Sequence, residues 1–573
     1  MPLILDQCDD GFSGSAAAGG SSGCSSGSNT DTGNVWNCVS PTPSGGVCSS
    51  YSAGGATRTN RAQEQQVLVT GISGSTVTFT PGLYMPNWRS GQSPGAFWPS
   101  NGSSLYVTGD GVENLTLDMT QYTASPSQSS GILLDLAYGC WVAGNRIINT
   151  ERNHVWLFQA SHNTIFNNYM FGTQNATSES YGIEHWSGSD NLIIDNIGQH
   201  VVSPYLQGGP DEGDVWAYNY DTDDYYTTDP NWFMPGNYQH TTGSGMDLWE
   251  GNQSSGFITD SIHGTHNLTT IFRNIYVGNQ PSCYGVICGQ EVYAVQLQYV
   301  NRYFNIVGNV LGQSGIQIVY DDNPATVSSP GGNISKAIYA VGWAGQNGTY
   351  SSEVAPTNDM LSVTSLMRWG NYDAVNAAVR WNSLEVPSNL TDTTGSPSRY
   401  ANPVPANQTL PNSFYSPSQP SWWATPYGTP PWPAVGPDVT GGNIPGVGGH
   451  ANNIPAELCY ANTPIDPAYQ HSYAVNAATW SSGTVTLVAA MGSVTQGEIT
   501  VSGVNPAGYN GTFQITSSTG ASVSYALASN PGTYGSGGSV LYPNIRLFNG
   551  CSTANSSSGP PPQPPTDVVA TVN

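Results

Sequence analysis

The chain has 573 residues, only 9% of them charged, and its formal net charge at pH 7 is −25 with 12 basic residues in all. Such an acidic chain lacks the basic surface that nucleic acids require, and its field also disfavours polyanionic ligands. No run of 18 apolar residues occurs, so the sequence predicts no membrane span. A neutral polysaccharide is the macromolecular ligand that the charge favours.

Residues 1–60 form a low-complexity head rich in Ser, Gly and Cys. The first residues have no basic region and too short an apolar run for a signal peptide, so we expect the true start to be missing. Leu3–Asp6 is interpreted as the remnant of an earlier repeat. Nine cysteines favour an oxidising, extracellular or cell-surface location, with disulfides. Cys459 and Cys551 bracket a distinct segment that they could close, and Cys140 is predicted to be a buried free thiol.

A repeating asparagine organises residues 61–350. Residues 61–86 alternate as a strand pair on the flank, and residues 109–119 are interpreted as a coil. Asparagines then recur 22 to 35 residues apart: Asn145, Asn168, Asn196, Asn219, Asn252, Asn274 and Asn309. Three positions before each stands an apolar residue: Val142, Ile165, Ile193, Trp216, Trp249, Ile271 and Ile306. Such a period, in segments rich in Ile, Val, Trp and Tyr, predicts a solenoid of stacked β-coils, because no coil can bury a face alone.

This repeat resembles the right-handed parallel β-helix superfamily of pectate lyases and polygalacturonases, and especially secreted bacterial members of unassigned activity. The resemblance implies an all-β, right-handed parallel β-helix over roughly residues 60–470. It does not extend to a catalytic set. A polygalacturonase would carry Gly-His-Gly and Arg-Ile-Lys after its Asp-Asp pair, whereas Asp223–Asp224 is followed by neither.

Residues 351–476 are predicted to contain the helices of the chain and a strap. Residues 358–361 can start a helix, and residues 373–381 carry helix-forming side chains. Proline and tryptophan dominate residues 403–439, and because proline cannot donate to a β-ladder, we interpret this segment as a strap along the solenoid.

Two further segments follow the strap. Strands with period-2 alternation, separated by Gly, Asn and Pro, predict a small antiparallel, sandwich-like β module at residues 477–545. Residues 546–573 are a Pro-rich linker with a terminal strand. That strand precedes another domain or pairs with the open edge of a neighbouring molecule.

Acidic residues suggest catalysis within the coils. Equivalent positions should stack about 4.8 Å apart, so Asp214 and Asp247, each five residues before an asparagine, would adjoin like the acid and base of a retaining glycosidase. The alternative is that both replace asparagine in a turn. Glu250 stands in an otherwise apolar column, which is costly unless the carboxylate is paired or functional. His263 and Arg273 are candidate partners, for catalysis or for pinning an insertion.

A second acidic cluster lies between residues 211 and 229, with no basic residue among them. Hard cations prefer several carboxylate oxygens, so a Ca²⁺ site formed by Asp211, Asp221, Asp223 and Asp224 is one hypothesis. A solvated acidic loop is the alternative. The sequence indicates no other cofactor.

A sugar-binding platform is predicted on the first strand of each coil. Ile132, Val155, Ile183 and Leu206 are expected to point inward, so their neighbours should point outward. The outward set is Trp156, Phe158, Glu184, Trp186 and Gln207. Exposed aromatic rings beside acids are suited to stacking on polysaccharides. The alternative is that a loop or the strap covers the rings.

The sequence leaves two functions open. The first is an extracellular polysaccharide-binding or polysaccharide-degrading protein and, if it is an enzyme, a glycoside hydrolase or a polysaccharide lyase. The second is a non-catalytic structural or adhesive protein that self-assembles through its C-terminal module and tail.

Overall fold

The computed structural model describes most of the chain. The residues described are 1–9, 13–14, 24–25, 58, 61–99, 106–122, 129–175, 180–226, 233–261, 264–280, 291–326, 328–329, 336–344, 358–387, 407–492, 494, 497–551 and 563.

Three long sheets form the solenoid, and each coil contributes strands to all three. In the described residues, the first sheet contains Val107–Thr108, Ile132–Asp135, Ala137–Tyr138, Val155–Ser161, Ile183–Ser189, Tyr205–Gln207, Asp211–Glu212, Asn237–Gln239, Ser244–Gly245, Phe257–Thr259, Val295–Leu297, Val319–Asp322 and Ala337–Val341. The second contains Gly111–Glu113, Trp141–Ala143, Thr164–Phe166, Leu192–Ile194, Val215–Ala217, Leu248–Glu250, Thr270–Phe272, Asn305–Val307 and Met367–Trp369. The third contains Thr116–Asp118, Arg146–Thr150, Tyr169–Thr173, Ile197–Gln199, Tyr220–Thr222, Gln253–Ser254, Ile275–Tyr276, Val310–Leu311, Asn371–Asp373 and Ala378–Arg380.

Strands of successive coils pair in parallel and in register, and only the last strand of the third sheet, Ala378–Arg380, reverses direction among those described. The architecture is therefore the predicted parallel β-helix.

The repeating asparagines stack at the turn between the second and third sheets. The main-chain N–H of each donates to Oδ1 of the next, over 2.8 to 3.0 Å. Such a ladder satisfies buried main-chain donors that the turn would otherwise leave unpaired. It extends to Asn371, which the spacing did not reveal because 62 residues separate it from Asn309.

The apolar column three positions before the asparagines forms the centre of the core. All seven predicted residues are 0% exposed and pair with their equivalents in neighbouring coils. Trp216 and Trp249 stack with ring centroids 4.8 Å apart and planes 8° from parallel. This direct stacking confirms the register between these two coils, on which the expected pairing of Asp214 with Asp247 depended.

The N-terminal residues form a flank rather than a coil. Pro2–Gln7 pairs antiparallel with Gln63–Ser73, in a four-stranded sheet that also contains Thr76–Thr80 and Gly95–Phe97. The predicted strand pair at 61–86 is therefore correct, but the interpretation of Leu3–Asp6 as a remnant coil is wrong. The short strands Ser13–Gly14 and Cys24–Ser25 pair beside it, and a disulfide joins Cys8 to Cys24.

The strap lies across the second and third sheets. Trp422 contacts the ring of Phe166, and Trp423 contacts that of Tyr218, with centroids 5.9 and 5.0 Å apart. Both tryptophans are buried, so the strap provides the outer apolar layer of these two sheets.

The helices follow the sequence only in part. Met360–Thr364 is an α-helix that starts where predicted, with the carboxylate of Asp359 accepting hydrogen bonds from its first turn. The predicted helix at 373–381 is wrong, because Asn371–Asp373 and Ala378–Arg380 form a hairpin there. An unpredicted α-helix spans Pro455–Asn462. Short 3₁₀ helices lie at Ser90–Gln92, Ser383–Glu385 and Ala507–Tyr509.

The C-terminal module is antiparallel, as predicted. Its strands are His471–Ala474, Ala477–Ser481, Thr484–Val488, Glu498–Ser502, Gly511–Thr519, Ser522–Ala526 and Ser539–Tyr542. A Cys459–Cys551 disulfide closes the segment, and Cys140 is a buried free thiol. No helix in the described part of the chain has the length and apolar character needed to cross a membrane.

Candidate functional site

Asp214 and Asp247 lie in a second ladder, inside the solenoid at the turn between the first and second sheets. The N–H of Asn191 donates to Oδ1 of Asp214 over 2.8 Å, and the N–H of Asp214 donates to Oδ1 of Asp247 over 3.0 Å. Earlier coils carry Asn163 and Asn191 at this position. Asp214 and Asp247 are 0% and 2% exposed. The two residues therefore adjoin as expected, but they replace asparagine in a closed turn that no polysaccharide reaches.

An aspartate in this ladder lacks the side-chain N–H of the asparagine that it replaces, and His185 provides a hydrogen-bond donor to Asp214. Its Nδ1 lies 2.5 Å from Asp214 Oδ2 and 3.0 Å from Asp211 Oδ2. Burial alone would lower the pKa of His185, but the charges and hydrogen bonds of the two aspartates raise it to about 10. Burial and the charges of Asp211 and Asp214 raise the pKa of Asp247 well above its usual range. We call His185, Asp211, Asp214 and Asp247 the interior cluster.

The interior cluster also contains the residues best placed to hold a metal. In the described residues, His185, Asp211 and Asp214 are the group of three whose ligand atoms lie within 4.8 Å of one another. A metal would require His185 to lose its proton. The 2.5 Å between Nδ1 and Asp214 Oδ2 is shorter than an ordinary N–H···O hydrogen bond, so the two atoms are in direct contact. The geometry therefore fits a shared proton better than a bridging cation.

The four residues of the calcium hypothesis occupy three separate places. Asp211 belongs to the interior cluster. Asp221 accepts the N–H of Ser255 over 2.9 Å, and Asp224 accepts the hydroxyl of the same serine over 3.0 Å. Asp223 instead pairs with His200, whose Nδ1 lies 2.8 Å away. The structure does not bring these acids into one site.

Glu250 anchors the strap from the second sheet. It stands between Ala217 and Phe272 in register and is 0% exposed. Its carboxylate accepts hydrogen bonds from the Tyr218 hydroxyl at 2.8 Å and the N–H of Phe414 at 2.7 Å, and also from the Ser413 hydroxyl. Burial raises the pKa of Glu250, and these donors oppose the rise.

Arg273 is a second anchor of the strap and does not contact Glu250 in any described hydrogen bond or ion pair. Its guanidinium binds the Asp438 carboxylate in a bidentate manner, at 2.6 and 2.8 Å, and donates to the carbonyl oxygens of Pro411 and Val435 at 2.9 and 3.1 Å. His263 lies outside the described residues. Glu250 and Arg273 thus each pin the strap, and the described contacts contain neither a catalytic pairing of the two nor a Glu–Arg bond that pins an insertion.

Three aromatic side chains form one patch on the outward side of the first sheet. Trp156 pairs with Glu184 and Phe158 with Trp186 in the ladder, as predicted. The rings of Trp156 and Trp186 stack at 6.4 Å, and Phe158 lies 5.6 and 5.8 Å from them. All three rings are partly exposed. We call Trp156, Phe158 and Trp186 the aromatic face.

Glu184 lies beside Trp156 in the ladder and is almost fully buried, at 3% exposed. It accepts hydrogen bonds from Asn153 and from Arg152, the latter at 3.5 Å, and the Arg152 guanidinium lies 4.8 Å above the Trp156 ring. Burial raises the pKa of Glu184 above its ordinary value, while Arg152, Asn153 and the charge of His240 oppose the rise.

Sequence reasoning missed a histidine–carboxylate pair on the same side of the sheet. His240 Nδ1 lies 2.6 Å from Asp260 Oδ2, and the Tyr238 hydroxyl donates to the same oxygen. The His240 side chain is 16% exposed and Asp260 only 1%. The ring of Tyr181 approaches His240 edge-on, with centroids 6.3 Å apart. Extending the outward row beyond Trp186 in the correct register would have found this pair.

Gln207 was wrongly placed on the outward face. Tyr205, not Leu206, pairs with Ile183, so Gln207 pairs with the inward-facing His185. Gln207 is 0% exposed and accepts a hydrogen bond from Gln239 over 2.7 Å. The coil begins one residue earlier than the constant offset implies, and a one-residue shift moves every side chain to the opposite face.

No protein-family model matches this chain, and neither a curated protein nor a solved structure matches it. The β-helix architecture, the two disulfides of the described residues and the site geometry therefore rest on the chain itself.

Proposed function

We propose that this protein binds polysaccharide, and that the glycan lies along the aromatic face. The observation that carries the proposal is the grouping of Trp156, Phe158 and Trp186 as partly exposed rings next to Glu184 and Arg152. Apolar ring faces cover the C–H surface of a sugar, while neighbouring carboxylate, amide and guanidinium groups bind its hydroxyls. A parallel sheet presents these groups in rows, which suits an extended polymer.

The extracellular location of the protein and its relationship to a β-helix family are part of the same proposal. Disulfides at Cys8–Cys24 and Cys459–Cys551 fit an extracellular protein. A place among pectate lyase-like β-helix proteins agrees with the asparagine ladder and the stacked coils. The net charge of −25 favours neutral over polyanionic glycans. No contact of the described residues favours the structural or adhesive alternative, and of its tail, residues 546–573, the structure describes 546–551 and 563.

Affinity electrophoresis through gels containing neutral polysaccharides tests the proposal. We expect at least one polysaccharide to retard the full chain, and Trp186→Ala to weaken that retardation about tenfold, which corresponds to ~1.4 kcal/mol. Trp98→Ala is the matched control, because Trp98 is 46% exposed and lies on the N-terminal flank. Absence of retardation by every polysaccharide, or an equal loss in both variants, would contradict the proposal.

A further inference from the structure

The outward side of the first sheet changes from exposed to buried along the solenoid. Leu133 is 49% exposed, and the rings of the aromatic face, in the next two coils, are partly exposed. In the coil that follows, Leu206 pairs with Glu184 and is 0% exposed. The aromatic face is therefore open towards the N-terminal coils and closed towards the coils that follow it.

A connection of the chain covers the sheet at the closed end. This connection joins Tyr220–Thr222 of the third sheet to Asn237–Gln239 of the first. One buried apolar cluster contains side chains of the connection together with outward side chains of three consecutive coils: Tyr225, Met234, Leu206, Tyr238 and Ile258. The connection therefore lies on the outer side of the sheet, one coil beyond Trp186, and stands above the level of the aromatic face.

His240 does not extend the open surface. It lies beyond the buried coil of Leu206, and its side chain is only partly exposed. Its Nδ1 contacts the Asp260 carboxylate at 2.6 Å, and the buried ring of Tyr181 approaches it edge-on. Among the described residues, the continuous run of exposed outward side chains thus ends at Trp186.

Leu133 continues the aromatic face at its open end. It pairs with Trp156 in parallel register, and Asp135, two residues later, pairs with Phe158 and is partly exposed. A single exposed leucine is common, but a leucine that continues a row of exposed rings enlarges a contiguous apolar patch. The patch thus spans three coils, which corresponds to about 10 Å along the solenoid axis.

We propose that the aromatic face binds the end of a glycan, and that the rest of the glycan passes over Leu133 towards the N-terminal coils. The inference rests on the proposed function. A polymer bound by its middle needs open surface on both sides of its binding site, whereas the covering connection leaves one side open. Trp186 contacts the terminal sugar, and Trp156 and Leu133 contact the sugars that follow it.

The number of protein molecules bound by each glycan molecule tests the inference. The polysaccharide identified by affinity electrophoresis is partially hydrolysed, separated into linear fractions of known length, and titrated into the full protein by calorimetry. We expect one binding site per glycan molecule in every fraction, because each molecule has one end of the required kind. A number of sites that rises with glycan length would overturn the inference and leave the proposed function standing.

Leu133→Asp measures the contribution of the open end. We expect it to weaken the binding of long fractions about fivefold, because a sugar loses its apolar contact, and to leave the shortest fraction that binds unaffected. Ile318→Asp is the matched control, because Ile318 is 67% exposed and precedes Val319–Asp322 at the opposite edge of the first sheet.

Equal affinities of the two variants for long fractions would also overturn the inference. Leu133→Ser replaces Leu133→Asp if the latter lowers the melting temperature. Absence of binding to any polysaccharide would instead overturn the proposed function, and the inference with it.

Discussion

Glu184 and His185 are consecutive residues of one strand, yet they lie in opposite surroundings. His185 points into the solenoid, where Asp211 and Asp214 hold its Nδ1 at 3.0 and 2.5 Å. Glu184 points outward among partly exposed aromatic rings. The interior cluster is closed to solvent, whereas the rings of the aromatic face remain partly exposed.

The comparison shows why acidity in the sequence is a poor guide to chemistry in a β-helix. A carboxylate at a ladder position replaces a turn asparagine and accepts the main-chain N–H of the neighbouring coil, as Asp214 and Asp247 do. A carboxylate under the strap accepts hydrogen bonds from the strap and holds it in place, as Glu250 does. Glu184, on the outward side of the first sheet, instead borders partly exposed rings.

Removal of the interior imidazole should have the largest effect. We expect His185→Ala to lower the free energy of unfolding by about 3–5 kcal/mol, because it leaves Asp211 and Asp214 buried without their cation. Thermal and urea unfolding measure the loss. His162→Ala is the control, since its pairing with Asp190 is longer, at 3.4 Å, and partly exposed. Equal destabilisation by both variants would remove the distinction between the two surroundings.

Glu250 and Glu184 offer a second contrast, between a covered carboxylate and one beside an open face. Glu250→Ala should cost about 3 kcal/mol, because donors from Tyr218, Ser413 and Phe414 lose their buried acceptor. Glu184→Ala should cost about 1 kcal/mol. Limited proteolysis should also cut the strap faster in the Glu250 variant only. A greater loss of stability at Glu184 would mean that its role is structural.

Buried acids should make the protein less stable at alkaline pH. Burial raises the pKa of many described carboxyl groups: Glu184, Asp195, Asp211, Glu212, Asp221, Asp224, Asp247, Glu250, Glu457 and Glu498. For Asp195 and Glu457 burial raises the pKa to about 8 and about 7. A raised carboxyl pKa contributes stability fully below about pH 4, and that contribution is lost as pH rises through the folded value. The pKa of His185 acts in the same direction, with its contribution lost between about pH 6.5 and about 10.

Two buried histidines should make the protein less stable at acid pH. Burial lowers the pKa of His154 to about 4 and that of His266 to about 3, so their contribution is present above about pH 6.5 and lost as pH falls. We therefore expect the melting temperature to be highest near pH 5–6 and roughly 5 °C lower at pH 9. Scanning calorimetry from pH 4 to 9 measures it, and a maximum above pH 8 would contradict the assignment of protonated interior acids.

Asp247→Asn should produce the smallest effect, and in the stabilising direction. Asparagine keeps the Oδ1 acceptor for the N–H of Asp214 and removes the cost of holding a proton on a buried carboxyl. We expect a gain of about 1 kcal/mol at pH 8 that disappears below pH 4. Urea unfolding at the two pH values measures it. A loss of stability at pH 8 would mean that Asp247 is needed as an anion.

The sequence was sufficient for the solenoid because each coil repeats the same local requirement. An asparagine and an apolar residue three positions earlier mark the turn and the core, and both stack as predicted from Val142 to Asn309. The helix predicted at 373–381 failed because pairing at the end of the third sheet outweighs weak helix propensity.

The candidate site was less predictable, because it depends on the length of connections between sheets. Trp156, Phe158, Glu184 and Trp186 share two adjacent coils of constant offset, so their placement followed from the repeat. Gln207 lies one coil further, where the offset changes by one residue and turns the side chain inward. His240 lies beyond a longer insertion still, so the constant offset does not place it on the outward row.

A crystal structure of the full chain with an oligosaccharide from the retarding polysaccharide tests the central claim most directly. We predict sugar rings against Trp156 and Trp186, and no density inside the solenoid around His185. Sugar bound on any other surface, with the aromatic face empty, would contradict the account.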